Sequence, residues 1–255
     1  MLTVRMPRCP LAARRLAHLA LACLLMLGTL GASAAPATAA TSGFKLDLGT
    51  RRDFVAQTNF VQCVGASMQM MLNMVEPGAD RTASTQLKLQ KLARSWSGSR
   101  PDGRQRQGAS VRGWAAGLNI LGAGPYRLVG EESLSQAVKT AARAIAATGR
   151  PVGLLVWRGR HAWVMSGFVA TADPRKTNDF KVTRAIVHDP LYPYGNDFWG
   201  RSPSPGAAIT VATLGRQFVP RRTSNRFGGF PSTLGGKYVL VLPYEIDLGV
   251  WSAAR

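Results

Sequence analysis

Cys63 stands at the mouth of an apolar, methionine-rich run, CVGASMQMMLNMVE. Two histidines, His161 and His188, follow far downstream, the second directly before Asp189. A thiol, an imidazole and a carboxylate in that chain order are the parts of a nucleophilic acyl-transfer site. The imidazole takes the thiol proton or pairs with the thiolate, and the carboxylate fixes the imidazole's tautomer and orientation. Gln57 stands six residues before Cys63. Its side-chain amide can donate to a developing oxyanion beside a helix N–H. Taken singly, each residue has a plainer reading. Free cysteine is among the most buried residue types, a histidine on an apolar strand is more often a core residue, and an aspartate before proline is most often a turn residue. In order, and on suitable elements, the four point to catalysis.

Such a site needs a helix under the thiol and strands under the imidazole and the carboxylate. After Cys63, the residues Val64, Met68, Met71, Leu72 and Val75 form an apolar stripe at helical spacing, and Pro77-Gly78 stops it. Three more helices are expected, near Thr82–Ala93, Val111–Leu121 and Ser133–Ala147, the last ended by Gly149 with Pro151 after it. One strand is expected in the lead-in, 41–54. PVGLLVW reads as a strand, RGR as a turn and HAWVMSGFVAT as the next strand, which His161 opens. FKVTRAIVHD is a further strand that Asp189 ends, and GGKYVLVLPY is a last one. A short helix near Val211–Phe218 interrupts the Gly-, Pro-, Ser- and Arg-rich stretch between them. Helices first and strands second predict an α+β fold in two segregated halves. The N-terminal helical half carries the Cys63 helix, packed on a C-terminal antiparallel sheet, with the site between them. Alternation along the strand ending at Asp189 turns His188 to the opposite face.

Three stretches together carry a resemblance to a known family: Q-x5-C-x-G-A-S-x-Q-M-M-L, then G-R-P-V-G-L-L-V followed by H-A-W-V-M-S-G-F, then V-H-D-P. They resemble the papain-like cysteine peptidases, and most of all the bacterial double-glycine leader peptidases of the C39 type and their secreted relatives. The resemblance covers roughly 57–190. It implies a papain-like fold with Gln57 as oxyanion donor, Cys63 as nucleophile, His161 as base and Asp189 as its orienter, acting on a peptide or protein substrate. The chain departs from the family pattern at Val64, where a glycine is usual, and in lacking the usual proline of the Cys helix. Its spacing of 28 residues between His161 and Asp189 is also longer, with the polar ADPRKTND loop to absorb it.

The first 40 residues read as a secretory signal: Arg5, Arg8, Arg14 and Arg15, then LAHLALACLLMLGTLGA, then small-x-small sites at Ala32–Ala34 and Ala37–Ala39. That leaves 41–255 as a single domain, exported and extracellular or held at the cell surface. Of the three cysteines, Cys9 and Cys23 leave with the signal, so Cys63 has no partner in the chain and is an intermolecular bridge, a reactive thiol or a buried one. Four of the 32 Lys and Arg lie in the signal, leaving 28 against 13 Asp and Glu, a net charge of +15. Such a surface favours anionic wall polymers or lipid headgroups. The positives are scattered, in patches at Arg100–Arg112, at Arg158 and Arg160, and at Arg216–Arg226. This is the pattern of a solvated surface, and no specific nucleic acid is expected.

Ser67 lacks a G-x-S-x-G frame. H-E-x-x-H and C-x-x-C are absent, and the FGGF and LGGK glycines precede no helix, so neither metal nor cofactor is expected. Two other functions stay open on the sequence. One is a transglutaminase-like acyltransferase using the same triad. The other is a non-catalytic cationic binding protein of the cell surface, with an unreactive Cys63.

Overall fold

The computed structural model describes residues 43–76, 78–99, 107–223 and 232–245, all within one compact unit of the chain. The expected signal, 1–40, lies outside the described residues.

The longest strand, β4 (His161–Ala170), is the axis of the sheet. Along one edge its first half pairs with β3 (Val152–Val156) and its second half with β1 (Phe44–Asp47), while β5 (Val182–His188) takes the other edge. Outward from β3 lie β9 (Tyr238–Pro243) and then β2 (Tyr126–Glu131). Outward from β5 lies β8 (Ala207–Thr210). Every pairing among the described strands is antiparallel. A separate two-stranded ribbon, β6 (Gly195–Asn196) with β7 (Gly200–Arg201), follows Asp189.

Helices cover both faces of this sheet. Alternate residues of the strands point opposite ways. Leu154, Trp163 and Leu240 join the core under α4 (Leu134–Thr148), with Ala137, Ala141 and Ile145. Leu155, Val164 and Val241 join a second core under α1 (Cys63–Val75), α2 (Ala83–Ser95) and α3 (Val111–Ile120). A fifth helix, α5 (Val211–Gly215), follows β8. In this second core Trp114 is fully buried, and an ideal Cβ on Gly153 would lie 2.7 Å from its indole. Glycine there lets the ring lie against the strand.

The mixed α+β composition is as expected, but the two halves are not segregated. Strand β2, between α3 and α4, forms one sheet edge, and α4 lies on the face opposite α1–α3. The reason is in the strands. VGLLV is buried throughout, and so is most of HAWVMSGFVA, so both faces of the sheet are apolar and each needs a cover. Neither β2 nor β8 is expected from the sequence, and α5 ends at Gly215 rather than at Phe218. Among the described residues no helix is long and apolar enough to cross a membrane.

Candidate active site

Cys63 is the first residue of α1 and is half-buried. The other helices are each closed by a Ser or Thr whose side chain accepts from a first-turn N–H: Thr82, Ser110, Ser133 and Thr210. At α1 the N-cap is Gln62, and its side chain makes no such bond. A helix start without a side-chain cap forgoes about 0.5–2 kcal/mol. It also leaves donors free. Gly65 N–H is taken by Gln90 Oε1 at 2.9 Å, and Ala66 N–H by Gln62 O. The amides of Cys63 and Val64 make no hydrogen bond among the described residues.

The loop before Cys63 is held by two buried glutamines one turn apart on α2. Gln86 accepts from Thr58 N–H at 2.8 Å and donates to Ala56 O at 3.0 Å. Gln90 donates to Val61 O at 2.9 Å. An ideal Cβ on Gly65 would come within 2.7 Å of Gln86 O, so glycine at this position allows α2 to close on α1. Sequence reasoning missed both glutamines. Their i, i+4 spacing on the apolar side of α2 was the available signal.

His161 opens β4 and is 4% exposed. Its Nε2 lies 2.6 Å from Asp189 Oδ1, and Asp189 is fully buried. Asp189 Oδ1 also accepts from Leu191 N–H at 2.8 Å, and Oδ2 is buried without a partner among the described residues. Cys63 is close enough to the His161 ring to act on its protonation. Since Asp189 takes Nε2, Nδ1 is left for the thiol. Burial alone would lower the His161 pKa. The hydrogen bonds to Asp189 and Cys63 and the charges of both overcome it, and the pKa rises to about 9.

Trp157 lies over the imidazole, with ring centroids 4.1 Å apart and planes at 24°. The turn that delivers it is strained. Trp157 (φ 56°) and Arg158 (φ 57°) both sit in the left-handed region, at about 1–3 kcal/mol each. Gln217 holds the turn, accepting from Trp157 N–H at 2.9 Å and from its indole N–H at 2.7 Å.

Gln57 N–H donates to Pro190 O at 2.7 Å, which ties the loop before Cys63 to the turn after Asp189. One hydrogen of the Gln57 amide goes to Asn59 O at 2.8 Å, and Oε1 is buried without a partner among the described residues. His188 points elsewhere. Its Nε2 meets Ser166 Oγ at 3.1 Å, and Ser166 donates to Asp47 at 2.8 Å. Burial pushes its pKa down to about 4, against the opposing charges of Asp47 and Asp53.

No protein-family model matches the sequence, and no curated protein matches it significantly. Gln57 and His161 open onto a cleft of about 530 Å³ walled by Phe60, Trp157, Leu191, Asn196, Phe198, Trp199 and three arginines. Among the described residues no three His, Cys, Asp or Glu side chains gather to hold a metal ion. The arrangement can do nucleophilic chemistry: a thiol beside an imidazole, a buried carboxylate behind that imidazole, and free amide N–H groups at the thiol's own helix start.

Proposed function

We propose that the chain is an exported papain-like cysteine hydrolase that cleaves peptide or amide bonds. Cys63 Sγ attacks the carbonyl carbon. Its proton passes to His161, and His161 gives that proton to the departing amine as the C–N bond breaks, leaving a thioester on Cys63. A water then loses its proton to His161 and attacks the thioester, and the proton returns to Cys63 as the acid leaves. The amides of Cys63 and Val64, with the second hydrogen of the Gln57 amide, stabilise the oxyanion. Asp189 keeps the ring in the tautomer and orientation this exchange needs. No metal or cofactor enters the steps. A cysteine at the start of a helix, followed by an antiparallel sheet in which a strand begins at the histidine, supports the papain-like reading.

One observation carries the proposal: the His161 ring has both Cys63, at the uncapped start of α1, and the fully buried Asp189 as neighbours that hold its proton. The test is product analysis. A peptide mixture incubated with the protein should give new carboxyl termini, identified by mass spectrometry, and the Cys63→Ala protein should give none. An added primary amine separates hydrolysis from acyl transfer: peptides ending in the amine as an amide, in place of free acids, would make the enzyme a transferase. Equal cleavage by the Cys63→Ala protein would end the proposal.

A further inference from the structure

The cleft wall next to His161 carries Arg158, Arg160 and Arg222 and, among the described residues, no acidic side chain. All three side chains are exposed, and none is hydrogen-bonded or ion-paired among the described residues. They come from two segments joined by the backbone, since Arg222 N–H donates to Arg158 O at 3.4 Å. Arg158 lies in the strained turn that places Trp157 on His161, and Arg160 follows it. The same cleft is lined by aromatic faces. Phe60 is 85% exposed and Phe198 is 79% exposed, while Trp199 packs edge-on against Phe198 and parallel to Trp157. Two exposed phenylalanines beside a catalytic cleft leave apolar surface uncovered, the usual mark of a surface that binds.

Resting on the hydrolase reading above, we propose that this cleft selects peptides that carry an acidic side chain and an aromatic or large aliphatic side chain close to the scissile bond. The three guanidiniums take the carboxylate, and Phe60, Phe198 and Trp199 take the apolar group. Unpaired arginines presented in a partly enclosed cleft favour a carboxylate by fork-shaped hydrogen bonding as well as by charge. A lysine in the same position meets three like charges and, among the described lining residues, no carboxylate. Such discrimination is electrostatic at a wet surface, so added salt weakens it.

Two arms of one experiment test this. In the first, internally quenched peptides identical except for Glu, Gln or Lys at one position, and Phe or Ala at another, are turned over by the wild-type protein. The expected result is kcat/KM about tenfold higher for Glu than for Lys at low salt, shrinking as salt rises, and higher for Phe than for Ala. Replacing Arg158, Arg160 and Arg222 together by Gln should remove the preference for Glu over Gln. In the second arm, the Cys63→Ala protein binds the same peptides, labelled, and anisotropy gives Kd. If no peptide is cleaved the hydrolase reading falls, and the binding arm still decides the cleft. Equal affinity for Glu and Lys peptides, or equal cleavage of them, overturns the inference.

Discussion

The backbone N–H of Gln57 donates to the carbonyl of Pro190 at 2.7 Å. Gln57 leads the loop into Cys63, and Pro190 follows Asp189, so this bond couples the proposed oxyanion arm to the carboxylate that orients His161. Being a backbone bond, it survives substitution of the side chain. Gln57→Ala should therefore lower kcat by about 10²–10³, the usual effect of deleting one oxyanion donor, with Tm nearly unchanged. Paired measurements of kcat and Tm check this. A large fall in Tm with kcat intact would make Gln57 a structural residue.

The loop's other anchors are Gln86 and Gln90. Gln90→Ala leaves Gly65 N–H and Val61 O without partners, at about 1–3 kcal/mol each when buried. It should also shift Cys63 enough to slow turnover about 10–100-fold. Gln90→Glu keeps an acceptor for Gly65 N–H and should recover part of the rate. Kinetics and thermal melts of the two variants make the comparison. If both are stable and fully active, the loop does not depend on α2.

The raised pKa of His161, about 9, predicts the alkaline side of the pH profile. The leaving amine needs the imidazolium proton, so kcat/KM should fall as pH rises through about 9. His161→Ala should lose about 10²–10⁴-fold in rate, and Asp189→Asn should lose much of the same by releasing the tautomer. A profile falling near 6.5, the ordinary histidine value, would mean that Asp189 and Cys63 do not hold the proton on the ring.

His188 makes the opposite prediction, for stability. Its folded pKa of about 4 lies below its ordinary 6.5 because burial disfavours the charged ring. Between those values the unfolded chain binds more protons, so stability falls as pH drops from about 6.5 to about 4, by about 3 kcal/mol in all. His161 works the other way, adding stability below 6.5 that is lost as pH climbs toward about 9. Urea melts across pH measure both slopes. His188→Gln should flatten the acid one, and an unchanged acid slope would show that His188 does not titrate in that range.

Much of the fold is legible in the sequence because local signals agree with it. Ser133 caps α4 and Gly149 ends it in the left-handed conformation, where the apolar stripe and the glycine place those limits. The edge strands are not legible. The β2 residues YRLVGE and the β8 residues AAIT alternate only weakly, and pairing with β9 and β5 makes them strands. The candidate site divides the same way. Cys63, His161, Asp189 and Gln57 stand out by type and order. Gln86 and Gln90 matter through hydrogen bonds to a loop many residues away, which residue type does not signal. Arg158 and Arg222 read as members of separate scattered patches, and only the turn at Trp157 brings them to one wall.

The most direct test is the rate at which Cys63 is modified by an epoxysuccinyl peptide, with the adduct located by peptide mapping. The expected result is a single adduct on Cys63, formed about 10² times more slowly in His161→Ala and within a fewfold of wild type in His188→Ala. A wild-type Cys63 that reacts no faster than free cysteine, or a rate that depends on His188 and not on His161, would contradict it.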